Sequence, residues 1–72
     1  MKAYIIESTN HGFFTGWGND INLRYVPKFR WSIGASSEEV RKFSSQHDAD
    51  IELARIYAVK PVYRSYVKAY NV

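Results

Sequence analysis

The chain has 72 residues, ten basic and seven acidic for a formal charge of +3, and no cysteine. A chain this short makes one domain that buries roughly 60% of its unfolded surface, and without cysteine neither disulfides nor a thiolate zinc site can supplement its core. Apolar residues at 46% exclude a disordered protein, and no apolar run approaches the roughly 18 residues that span a membrane.

A single compact, soluble domain over residues 1–72 is therefore expected. The cytosol is its default compartment, because Glu7 interrupts the apolar start Tyr4-Ile5-Ile6 that a secretory leader would continue. Residues 3–8, rich in aromatic and β-branched side chains, read as a strand. Thr9-Asn10-His11-Gly12 carries turn chemistry, so Phe13-Phe14-Thr15-Gly16-Trp17 should return antiparallel as a hairpin. Simple alternation puts Phe13, Thr15 and Trp17 on one face and Phe14, Gly16 and Gly18 on the other. The second face is thin, which marks a bulge or the close approach of another backbone.

Residues 19–28 show no sustained period, and Pro27 holds Val26 extended, so this stretch reads as a loop. Phe29-Arg30-Trp31-Ser32-Ile33 alternates, placing Phe29, Trp31 and Ile33 inward and Arg30 and Ser32 outward. Ser36 with Glu39 forms a capping-box pattern that predicts a short helical turn through Val40 and Phe43. A second helix start falls at Ser44 or Ser45, with Asp48 and Asp50 in its first turns. Ala49, Leu53, Ile56 and Tyr57 make one apolar stripe facing the sheet. Beyond it, alternation over residues 57–65 predicts a last strand beginning or edged at Pro61, while Tyr63, Tyr66, Val67 and Tyr70 also fall at helical spacing; the expectation is strand to about residue 65 and a frayed or partner-ordered tail over residues 66–72. The expected fold is α+β: a small antiparallel sheet of three to four strands with one main helix on one face, in the order ββ(β)αβ.

The chemistry-bearing residues do not assemble into a catalytic pattern. His47 and Asp50 share a helix face beside Asp48, but a metal site needs three or four ligands, and helix capping and solvation account for these residues. Ser44, Ser45, His47 and Asp48 are neighbours on one turn, whereas a nucleophilic triad is assembled from side chains that converge in space. Gly12, Gly16, Gly18 and Gly34 match neither GxGxxG nor GxxxxGK[ST]. The expectation is a protein that is not an enzyme and has no catalytic, cofactor-binding or metal-binding residues.

Charge is unevenly spread: residues 1–35 carry four basic and two acidic groups, residues 36–54 two and five, and residues 55–72 four and none. If the two basic flanks form neighbouring strands, Lys28 and Arg30 would gather with Tyr63, Arg64, Tyr66 and Lys68 into one partner-binding patch, with the acidic helix opposite. Such a patch would suit an acidic protein surface. Rings between phosphate-seeking cations would also suit single-stranded nucleic acid, although Phe29 and Trp31 are needed for the core and no RNP motif is present.

The succession Tyr4-Ile5-Ile6, Gly12-Phe13-Phe14-Thr15-Gly16-Trp17, Arg41-Lys42-Phe43-Ser44-Ser45, Asp48-Ala49 and Val59-Lys60-Pro61-Val62 resembles the short reading frames common in tailed bacteriophages and prophages. The resemblance spans roughly residues 3–64 and implies a ββ(β)αβ fold of phage origin. It also implies a small inhibitor that binds a host protein or nucleoprotein complex in the bacterial cytoplasm, as anti-CRISPR proteins and host-takeover inhibitors of polymerases or nucleases do. It carries no active-site motif. Mimicry of DNA, which needs an acidic surface, does not suit a basic chain.

Overall fold

The computed structural model of the protein describes residues 2–61 and 63–71. Its elements are β1 (Lys2–Ser8), β2 (Gly12–Asn19), β3 (Tyr25–Arg30), α1 (Gln46–Val59) and β4 (Ser65–Asn71). The strands form one antiparallel sheet in the order β3-β2-β1-β4, with α1 packed on one face, an α+β fold in the order the periodicities imply. Met1 and Val72 of the expected single domain, and Val62 of the expected last strand, lie outside the described residues.

β2 carries a bulge where the thin glycine face implies one: its register with β3 shifts between Phe14 and Gly16, and Gly16 takes φ 140°. The extra residue resets the alternation. Phe14 and Trp17, expected on opposite faces, consequently both turn toward α1 and meet edge to face at 6.2 Å. Gly12 starts the strand at φ 86°, and a Cβ there would overlap the Arg30 carbonyl.

The same bend parts β2 from β1. The two strands pair only at Glu7↔Phe13 and Ser8↔Gly12. Farther along, Tyr4 exchanges backbone hydrogen bonds of 2.9 and 2.8 Å with Phe43, and the Arg41 N–H donates to the Phe14 carbonyl at 3.0 Å. Residues 41–43 thus fill the split and satisfy backbone groups that a continuous ladder would have paired. No helix forms over Ser36–Phe43; the residues make turns in which Ser37, rather than Ser36, accepts from the Glu39 N–H. Residues 41–43, which complete the expected helical turn, are instead engaged in bridging the two strands.

β3 starts at Tyr25, inside the stretch expected as a loop, and ends at Arg30, so the expected strand through Ile33 is displaced. Pro27 fits because β3 is an edge strand. The paired ladder ends at Phe13↔Arg30, and Trp31, which passes close beside the left-handed Gly12 without pairing to it, is 69% exposed instead of inward. α1 is capped by Ser45, whose side chain accepts from the Asp48 N–H at 3.2 Å, and it continues to Val59 before Pro61. Residues 57–59, expected to be extended, are therefore helical, and the last strand occupies Ser65–Asn71, where a tail was expected. Pairing over the full length of β1, from Lys2↔Asn71 to Ser8↔Ser65, orders those residues.

The stripe is seated as expected at Ala49, Leu53 and Ile56, but not at Tyr57, which is exposed. Ala49 and Ile56 are fully buried, and Leu53 packs half-buried against Ile6, Phe14 and Ile56. Ile5 points the other way by alternation and is also fully buried, and Val40 of the crossing segment is buried. Ile56→Ala should cost about 2–5 kcal/mol in urea unfolding, and Leu53→Ala less, because more of its surface already meets water. Gly12→Ala should cost about 1–3 kcal/mol from the left-handed backbone alone, with the carbonyl overlap adding to it.

Candidate functional site

The six residues expected to form a partner-binding patch are divided between the two edges of the sheet. Lys28 and Arg30 lie on β3, Tyr66 and Lys68 on β4, and Tyr63 and Arg64 just before β4, with β2 and β1 between the groups. Three strand spacings, about 14 Å, separate the edges. The basic flanks do adjoin, through β1 and β4, but the strand order puts the β3 cations at the far edge.

Face and charge divide them further. Pairing to Phe13, Gly16, Ile5 and Glu7 places Arg30, Lys28, Lys68 and Tyr66 on the face away from α1. There Arg30 is bound by both carboxylate oxygens of Glu39 at 2.8 Å, and Lys68 lies 4.0 Å from Glu7. The Tyr66 hydroxyl donates to the same Glu7 carboxylate at 2.6 Å. That bond raises the Tyr66 phenol above its ordinary 10.0, so its stabilising contribution is present below pH 10 and is lost as pH rises through the higher folded value. Tyr63 instead packs on the helix side, 4.0 Å from the His11 ring and edge to face with Phe29 at 5.3 Å. Arg64 is exposed, and its carbonyl accepts from the Thr9 N–H.

Tyr63 begins a line of touching rings that continues through Phe29, Phe14 and Trp17 to Tyr25. The line ends in an open cleft of about 530 Å³ between β2–β3 and the second half of α1. Trp17 and Tyr25 stack on one wall at 5.6 Å and 14°, while Arg55, Ala58 and Val59 form the helical wall. The Trp17 indole N–H donates to Glu52 at 3.1 Å, and Arg55 reaches the same carboxylate oxygen at 3.9 Å. Arg41, from the segment that fills the split, adds a second guanidinium to the rim. The cleft thus offers aromatic and aliphatic contact, with two cations and one already engaged carboxylate.

Beside the cleft the β2–β3 turn is tightly braced. Asp20 accepts from the Asn22 N–H at 2.8 Å and the Arg24 N–H at 2.9 Å, and its backbone bonds Arg24 and Leu23. The brace holds out two apolar side chains, Ile21 at 96% and Leu23 at 81% exposure, and sets Leu23 at φ 61°. A bulky residue in left-handed backbone is strained, and such strain persists only where surrounding bonds overdetermine it. The hydrogen bond from the Arg24 N–H is the main cause that lowers the Asp20 carboxyl below its ordinary 3.8; the Asn22 bond and the nearby Arg24 and Lys60 charges act in the same direction.

Neither Ile21 nor Leu23 entered the sequence-based patch, although two aliphatics within a turn are themselves a signal, since turns are normally polar. The cleft residues could not be found that way, because Trp17, Arg41 and Arg55 converge only through the bulge and the crossing segment. Among the described residues, no group of three metal-binding side chains gathers, and no helix is long and apolar enough to cross a membrane. The chain matches no family model, no curated protein and no solved structure.

A depressed carboxyl favours the braced turn above the unfolded value of 3.8 and loses that contribution as pH falls through the lower folded value. Hydrogen exchange should therefore show the Asn22 and Arg24 amides losing protection below pH 4 while β1 and β4 keep theirs. Asp20→Ala should produce the same local loss at neutral pH. Unchanged exchange at both amides in this variant would show that the carboxylate does not hold the turn.

Proposed function

We propose that this chain is a non-enzymatic binding protein that docks on another protein through the β2–β3 tip and the adjoining cleft and acts by steric occlusion. The observation that carries the reading is the Asp20 brace, which holds Ile21 and Leu23 almost fully in water at the cost of a strained Leu23 backbone. Folding gains nothing from leaving those two side chains in water. A partner that buried both side chains would recover their apolar transfer energy without first having to order the loop. Tyr25 and the two cleft arginines supply the residue types that dominate interface energetics, and they favour a partner surface with a carboxylate beside an apolar pocket. The resemblance to small phage reading frames supports a bacterial protein or nucleoprotein complex as the target, in keeping with an anti-defence or host-takeover inhibitor.

Single-stranded nucleic acid is the second reading. It is supported by the Tyr25 ring, 67% exposed and stacked on Trp17 next to Arg41 and Arg55, an arrangement on which a base could stack.

The two readings separate by pull-down from bacterial lysate with and without nuclease, followed by titration of the captured component. Ile21→Ser with Leu23→Gly should weaken protein binding by more than tenfold, about 1.4 kcal/mol, while thermal stability holds or rises as the strained backbone is relieved. Retained affinity in that folded variant would remove the tip from the interface. Capture lost to nuclease, with affinity falling log-linearly in salt and insensitive to the tip variant, would favour nucleic acid.

A further inference from the structure

The two open edges of the sheet are built differently. In β2–β3, the bond from the Asp20 N–H to the Arg24 carbonyl marks a hydrogen-bonded pair. Counting back through the register makes Trp17↔Pro27 a pair whose backbone groups point away from each other. Pro27 therefore occupies an outward slot of β3, and an incoming strand finds no N–H there. The edge is blunted.

β4 lacks that protection. Three observations fix which of its residues face outward. The Thr9 N–H bonds the Arg64 carbonyl, so Arg64 turns toward β1. Tyr4, opposite Ala69, spends both backbone groups on Phe43 at the other side of β1. Ser65, opposite Ser8, bonds outward through both its N–H and its carbonyl to the Tyr57 hydroxyl, at 3.2 and 3.0 Å. By alternation Val67 and Ala69 also present N–H and carbonyl to the open side. Tyr57 occupies the first outward position much as a neighbouring strand would, and among the described residues β4 pairs with β1 alone. The ladder with β1 runs without a register shift, so the open edge is regular.

From this edge we infer a second docking site, independent of the tip and cleft: β4 accepts an extended, acidic segment of a partner protein, which adds as a further strand at Val67 and Ala69. Charge selects that occupant. Residues 55–72 carry four basic groups and no acidic one; Arg64 is exposed, and Lys68, at 4.0 Å from Glu7, keeps 56% of its side chain in water. A second copy of the chain offers no carboxylate to Lys68 in any β4–β4 register, because β4 contains none. The antiparallel register that pairs Val67 with the copy's Ala69 sets Lys68 against Lys68, and like charges directly opposite destabilise a strand pair. A glutamate or aspartate in that position would instead form a cross-strand ion pair, with backbone bonds supplying the affinity.

The probes are a short threonine–valine peptide centred on glutamate, its lysine-centred counterpart, and the glutamate peptide N-methylated on alternate amides. The glutamate peptide should slow amide exchange at Val67 and Ala69 about tenfold more than the lysine peptide does. The N-methylated peptide should give no protection, and Lys68→Glu should reverse the charge preference. Equal protection by both charged peptides, or none by either, would overturn the inference. So would a wild-type chain that sediments as a dimer with both amides protected before any peptide is added, since the edge would then belong to a second copy. If Lys68→Glu fails to fold by circular dichroism, the peptide comparison on the wild-type chain still decides between these outcomes.

Discussion

The parting of β1 from β2 is the constraint on which the rest of the structure depends. A bulge beside Gly16 bends β2 away after two pairs with β1, leaving backbone groups of Tyr4 and Phe14 without a strand opposite them. Leaving such groups unpaired in a buried setting costs about 1–3 kcal/mol each. Arg41 and Phe43 meet them, so a long connection that carries little regular structure is pinned at its far end. Ser45 follows two residues later and starts α1, so the starting position of the helix is tied to the split.

This tie also explains how the binding surface is assembled. Arg41 reaches the cleft rim because residues 41–43 are held in the sheet, and Arg55 and Val59 reach the other wall because α1 starts where it does. The bulge contributes directly by turning Trp17 to the helix side, where its indole binds Glu52. Removing cations from one proposed surface and gathering them at another therefore has a common origin in the fold. Arg30, which alternation leaves exposed, is taken up by Glu39 from the same connection.

Features governed by a few adjacent residues were legible in the sequence. The turn before Gly12, a bulge or close approach in the glycine-bearing strand, a cap at Ser44 or Ser45 and the Ala49–Leu53–Ile56 stripe all follow from local steric and capping rules. What required the third dimension was less accessible. Trp31 reads as an inward strand residue, yet the ladder stops at Phe13↔Arg30 and leaves it exposed. Tyr57 fits a strand or a helix equally by spacing, and the bond from its hydroxyl across to Ser65 has no local signature. Strand order is invisible to periodicity, and it separates Lys28 and Arg30 from Arg64 and Lys68. Charges read along a chain likewise do not reveal which carboxylates will meet them, as Glu39 and Glu7 do here.

The pairing of the first strand with the last has a kinetic meaning. β1 meets β4 from Lys2↔Asn71 to Ser8↔Ser65, contacts of very large sequence separation, whereas it shares only two pairs with its sequence neighbour β2. During synthesis the β2–β3 hairpin can close early, but β1 has almost nothing to hold until the closing strand has emerged. Chains dominated by such distant closures fold in milliseconds to seconds rather than microseconds. Before that closure the burial of Ile5 and Ile6 lacks the strand that completes it, which leaves two apolar side chains open to misassociation.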